Sequence, residues 1–184
     1  MYGITLFPLF SSLAMRYTPV ITARKTSLLP IADHNSRVLI LDTMPGEKSL
    51  ILQQYYACKS NFFWKILFKV FKVPNITDYR LKKQLLFKHG IALWNVLEFG
   101  EQKANGEYSV TSETPNDFYT FFQNHPKITR IIFNGNNAAD FYAQHVGYFN
   151  GLTMEILPST SALNTWKSFE EKAEVWAHAL SREA

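Results

Sequence analysis

The chain has 184 residues, 47% of them hydrophobic and 18% charged, with a formal net charge of +4. That length and balance exclude a disordered polypeptide and give one domain enough apolar surface for a sizeable core. The single cysteine, Cys58, excludes an intrachain disulfide and a Cys-rich zinc site.

Residues 1–26 include the apolar stretch "ITLFPLFSSLAM", which is too short to cross a bilayer. No Lys or Arg precedes it and no small-x-small cleavage site follows, so a secretory leader is disfavoured. The segment reads as a poorly ordered extension, with Met15 as an alternative start. One domain is expected from residue 27 to residue 184, in a cytoplasmic protein with no membrane partner. "RVLIL" (37–41) is a short β-branched apolar run, a buried strand. "SLILQQYYA" (49–57) and "FFWKILFKVFK" (62–72) read as helices. The second places Phe63, Ile66, Leu67 and Val70 opposite Lys65, Lys69 and Lys72 and is stopped by Pro74. "TDYRLKKQLLFKHG" (77–90) carries helix start and stop signals.

"IALWNVL" (91–97) is the second strand, and residues 98–114 read as a long polar surface loop. "TPNDFYTFFQNHP" reads as a helix with Pro115 near its start. "RIIFNG" is the third strand, "NNAADFYAQHV" a helix and "TMEIL" the fourth strand. After the loop "PSTSALN", a last helix starts at Trp166, with Phe169, Ala173, Trp176 and Leu180 at helical spacing. Trp64, Trp94 and Trp166 are expected in the core. Tyr55 and Tyr56 are adjacent, so one should pack inward and the other line a cleft. Strands alternating with helices predict an α/β fold, a three-layer α/β/α sandwich around a four-stranded, mainly parallel sheet.

Ligands of open α/β sheets bind beyond the carboxyl ends of the strands. Those ends hold "DTMPG", "NVL", "NGNN" and "PSTSALN", rich in amides and hydroxyls and poor in ionisable groups. The phosphate loops GxxxxGK[ST] and GxGxxG are absent. The histidines His34, His89, His125, His145 and His178 form no HxH or HxxxH pair, so neither metal nor cofactor is expected. "PSTS" lacks a nucleophile elbow and a His/Asp partnership; Ser159 to Ser161 suit a phosphate better. "NGNN" reads as a turn with a helix N-cap. From Cys58 to His89 the basic residues Lys59, Lys65, Lys69, Lys72, Arg80, Lys82, Lys83 and Lys88 face one acid, Asp78. That block is a solvated helix surface or the footprint of a polyanion.

The segments "RVLILDTMPGEKSLILQQYYACKSNFFWKIL", "HGIALWNVL", "FNGNNA" and "LPSTSALN", in that order, resemble the uracil-DNA glycosylase superfamily, and within it the hypoxanthine (deoxyinosine) DNA glycosylase branch. The resemblance spans about residue 28 to the end. It implies a catalytic Asn61 in "NFFW" and a base pocket from Met44, Pro45, Gly46, Tyr56, Phe62 and Asn95. It also implies a loop of Ser159, Thr160, Ser161 and Asn164 that, with Lys59, grips DNA phosphate. Met44 stands where the wider superfamily often carries a water-activating Asp or Asn. "LDT" stands where relatives have Gly and a small residue, so Asp42 is placed to crowd the motif or to add a carboxylate near the water.

The implied reaction is hydrolysis of the N-glycosidic bond of a flipped deaminated base in duplex DNA, chiefly hypoxanthine, by a monomeric, monofunctional enzyme. An amide can orient a water but is a poor base, so turnover should be slow. Lys48 or Lys59 as a Schiff-base amine lacks a desolvating context. The competing readings are uracil excision and a non-catalytic DNA-binding protein on the same fold.

Overall fold

The computed structural model describes residues 23–102 and 113–181; the readings made for residues 1–22, 103–112 and 182–184 lie outside them. The central sheet has four parallel strands in the order β3 (Ile91–Asn95), β2 (Val38–Asp42), β6 (Arg130–Asn134), β7 (Thr153–Leu157). Its register sets Asp42 beside Asn95, Leu41 beside Phe133, and Asn134 beside Leu157. Strand side chains alternate between faces, and the two cores follow that alternation. Val38, Ile40, Ile91, Leu93 and Ile132 pack against helices α2 (Phe63–Val70), α3 (Tyr79–Lys88) and α6 (Phe169–Leu180). Leu39, Leu41, Ala92, Trp94, Ile131 and Phe133 pack against α4 (Phe118–Asn124) and α5 (Asn136–His145). The predicted three-layer α/β/α sandwich with a parallel sheet is the observed fold.

Several local expectations change. The helix expected over 49–57 is α1, Glu47–Leu52, and it ends at Gln53 in the left-handed region, φ 52°. Tertiary hydrogen bonds outweigh helix propensity there. Tyr55 N–H donates to the Tyr79 hydroxyl at 2.8 Å, and its carbonyl accepts from Trp64 Nε1 at 2.9 Å. The surface loop expected from residue 98 begins instead as strand β4 (Leu97–Gln102), antiparallel to β1 (Ala23–Thr26) and to β5 (Thr114–Pro115). Strand β1 falls within the segment read as a poorly ordered extension. Pro115 belongs to β5, and Asp117 caps α4 by accepting from Thr120 N–H.

The last helix starts at Phe169, not Trp166, because Ser168 and Glu171 form a reciprocal capping box. Trp64 and Trp94 are buried, as expected, but Trp166 is 66% exposed. It lies before the helix, with the Lys167 ammonium over its ring.

Candidate active site at the carboxyl edge of the sheet

The strand alternation that fills the α2/α6 core also decides what stands at the sheet's edge. Asp42, Asn95 and Asn134 continue the rows of Ile40, Leu93 and Ile132, so all three point to the α2/α6 side. The segment leading into α2 and the loop after β7 meet them there. Asn134 is buried, and its amide is fully engaged. Its Oδ1 accepts from Thr160 N–H at 2.8 Å. Its Nδ2 has three acceptors within reach: Thr160 Oγ1 at 2.9 Å, Asp42 Oδ2 at 3.1 Å and the Tyr56 hydroxyl at 3.2 Å. Thr160 Oγ1 in turn donates to Asn61 Oδ1 at 2.9 Å. The chain of bonds therefore runs Asp42, Asn134, Thr160, Asn61.

Asn61 Oδ1 also accepts the Phe63 N–H at 2.9 Å, opening α2, so both its lone pairs are taken. The Phe63 donor fixes which end of the amide is oxygen. Nδ2 is the end without a hydrogen bond among the described residues. Phe62 N–H donates to the Thr160 carbonyl at 2.9 Å, which locks the two segments together.

Asp42 accepts from Thr43 N–H at 2.8 Å and from Asn134 Nδ2 at 3.1 Å, and the nearby Tyr56 hydroxyl also favours its ionised form. Burial nonetheless dominates and raises its pKa from 3.8 to about 6. The Tyr56 phenol is pushed well above its ordinary value by burial and then by Asp42.

A cleft of about 680 Å³ opens beside this network. Its walls are Asp42 to Met44, the turn Asn134–Asn137 that starts α5, and the loop carrying Ser159, Ser161, Leu163, Asn164 and Trp166. Gly135 has φ +98°, and a Cβ there would meet Ser159 Cβ at 2.9 Å, so only glycine lets the turn and the loop close together. Lys172 of α6 is fully buried under the loop, donating to Ser161 O at 3.1 Å and Asn164 O at 2.6 Å. Desolvation lowers its pKa.

Of the residues the resemblance named, Met44, Ser159, Ser161 and Asn164 line the cleft; Asn61 lies outside its walls, joined to them through Thr160, and the rest lie elsewhere. Pro45 is buried, and Gly46 is the exposed N-cap of α1. Tyr56 stacks on Phe63, centroids 3.9 Å apart, with only its hydroxyl in the polar network; of the tyrosine pair, Tyr55 is the more buried. Phe62 packs edge-on against Phe169. Thr160 is buried and uses its hydroxyl on Asn134 and Asn61. Asn95 is buried under Ser27 Oγ, which donates to its Oδ1 at 3.3 Å. Lys59 is exposed and outside the cleft walls.

Sequence reasoning missed Asn134 as the hub, reading its segment as a turn and N-cap; Gly135 is the N-cap and no side chain caps α5. It also missed Leu163, 93% exposed at the cleft rim. A lone leucine in a polar loop was the available signal.

The profile of the uracil DNA glycosylase superfamily matches residues 29–180. This chain belongs to that superfamily. Hypoxanthine DNA glycosylase of Methanosarcina barkeri is 27% identical over 160 residues, covering 86% of this chain and 99% of that protein. Hypoxanthine DNA glycosylase of Methanosarcina acetivorans is 31% identical over 146 residues, covering 78% and 90%. The solution structure of a candidate uracil DNA glycosylase from Methanosarcina acetivorans superposes with a TM-score of 0.73 at 27% identity, covering 86% of this chain and 99% of that one. Membership in the uracil DNA glycosylase superfamily makes DNA the substrate and N-glycosidic hydrolysis the class of chemistry. Among the described residues, no helix is long and apolar enough to cross a membrane, and no group of metal-binding side chains occurs.

Proposed function

We propose that this protein excises hypoxanthine from deoxyinosine in duplex DNA and leaves an intact abasic strand. The observation that carries the reading is a cleft walled by amides and hydroxyls, with Asn61 outside its walls but joined through Thr160 to the wall residue Asn134, in a chain similar to two hypoxanthine DNA glycosylases. No amine lines the cleft among the described residues, which favours a monofunctional hydrolase over a Schiff-base lyase.

The bond breaks through an oxocarbenium-like transition state as charge builds on the departing base. Positioning and preorganised dipoles in a dry pocket suffice when the leaving group is this well stabilised. The free Nδ2 of Asn61 holds the attacking water by its oxygen; the amide oxygen, saturated by Phe63 and Thr160, is committed to rigidity. Asn95 reads the base: hypoxanthine N1–H replaces the Ser27 hydroxyl on Asn95 Oδ1, while the amide Nδ2 donates to O6. Adenine presents the reverse polarity and leaves buried groups unpaired, at a cost of about 1–3 kcal/mol. Met44 supplies an apolar wall. Ser159, Ser161, Asn164 and the amino end of α5 grip the phosphate flanking the flipped nucleotide. Leu163, exposed at the rim, fills the space the base vacates.

The test is a set of duplexes carrying hypoxanthine, uracil, xanthine or a G·T mismatch, incubated with protein and then cut with alkali. Cleavage at inosine alone is the expected result, with Asn61→Ala slower by about 100-fold or more. Cleavage at uracil alone would replace this reading with uracil excision. Tight binding without cleavage of any duplex would make the protein a DNA-binding one.

A further inference from the structure

The least expected group in the cleft is Asp42. Among the described residues it is the only ionisable side chain lining the cavity. Two donors converge on it, Thr43 N–H at 2.8 Å and Asn134 Nδ2 at 3.1 Å, with the Tyr56 hydroxyl, itself within reach of Asn134 Nδ2, beside them. A carboxylate accepts both; a protonated carboxyl would add a donor where donors already point. Asn134 Oδ1 is held by Thr160 N–H, and its two Nδ2 hydrogens face three acceptors, of which an ionised carboxylate is the strongest. That orientation directs Asn134 Nδ2 onto Thr160 Oγ1 as well, and leaves the Thr160 proton no better acceptor than Asn61 Oδ1.

We propose that Asp42 is a positioning residue of this site, its carboxylate holding Asn134 and, through Thr160, fixing the Asn61 amide with its nitrogen free. The proposal rests on the role given to Asn61 above and adds a control on it. Protonation of Asp42 turns it from acceptor to donor and loosens the Asn134–Thr160 restraint on Asn61, which is then held by the Phe63 N–H alone. Asp42 titrates near pH 6 because desolvation outweighs the hydrogen bonds it accepts. The site is therefore ordered above that pH and loosened below it.

The groups facing Asp42 do not compete in this range. Tyr56 and Tyr55, on the segment after α1, are both pushed above their ordinary values. From β6 and the loop after β7 come only the neutral Asn134 and Thr160. Lys172 of α6 stands behind the loop, with its ammonium on the Ser161 and Asn164 carbonyls.

The experiment is a pH titration of the side-chain amide signals of Asn61 and Asn134 in 15N-labelled protein, run beside the excision assay on the inosine duplex. Both amides are expected to shift together with a midpoint near pH 6, and kcat/KM to fall about tenfold per pH unit below it. In Asp42→Asn both titrations are expected to disappear. An Asn61 signal that does not move between pH 5 and pH 8 overturns the proposal, and wild-type protein alone decides this if the variant does not fold. An acid limb that survives in Asp42→Asn overturns it too. If the amides titrate as described but no duplex is cut at any pH, the deoxyinosine reading fails while the positioning of Asn61 by Asp42 stands.

Discussion

At the scale of the residue, Asp42 carries a thermodynamic cost. Its carboxyl titrates at about 6 in the fold against an ordinary 3.8. The folded chain thus binds the proton more tightly than the unfolded chain. That contribution to stability is complete below about pH 4 and is lost as pH rises through 6. A gap of this size is worth about 3 kcal/mol. Asp42→Asn is expected to melt several degrees above wild type at pH 8, because about 1 kcal/mol moves a domain of this size by 2–4 °C. The difference should shrink toward zero near pH 4.5, and thermal melts at the two pH values check it. A residue that weakens the fold at neutral pH is the pattern of a functional group. Sequence marked Asp42 as the departure from its relatives. It could not show the desolvation or the two donors, which come from residues 1 and 92 positions away.

At the scale of the element, α6 supports the cleft from behind. Its capping box fixes where the helix begins, and Lys172, one turn later, reaches under the loop to two of its carbonyls. Lys172→Met keeps an unbranched apolar side chain there and removes both bonds together with the ammonium over Phe62. The amides of residues 159–164 are expected to exchange hydrogen faster, and KM for DNA to rise several-fold with kcat little changed; exchange mass spectrometry and steady-state kinetics read the two. Strands β2, β3 and β6 were legible because each is a short apolar run buried on both faces; β7 was legible as a short run although it is the edge strand and Ile156 is exposed. Helices α2, α3 and α5 were legible from their periodicity and boundary residues. Strands β1, β4 and β5 were not, because their order comes from pairing with segments far away in sequence, and Glu98 and Gln102 make β4 read as polar loop. The helix drawn through Tyr55 failed for the same reason: its backbone is committed to Tyr79 and Trp64.

At the scale of the whole molecule, the basic block covers the outer side of the α2/α3 layer. Much of it lies across aromatic rings: Lys65 over Phe62, Lys69 over Phe169, Lys82 over Trp64 and Lys83 over Tyr79. Arg80 is paired with Asp78. These cations are held in place by packing, and as a DNA-facing surface they should give salt-sensitive binding. The logarithm of the association constant is expected to fall with the logarithm of salt concentration with a slope of about −3 to −5, and Lys65→Glu with Lys69→Glu to reduce that slope by about 2. Fluorescence anisotropy on an undamaged duplex measures both.

The small sheet has a practical consequence for handling the protein. Strand β1 pairs with β4, and Ser27, the next residue, covers Asn95 at the carboxyl edge of β3. The end of α6 lies at the opposite edge, where Arg130, the first residue of β6, donates to the Ala179 carbonyl. An affinity tag or fusion joined close before β1 would pull on the covering of Asn95. One joined beyond Ser181 would leave from the far side of the sheet, and is the better choice for any activity measurement.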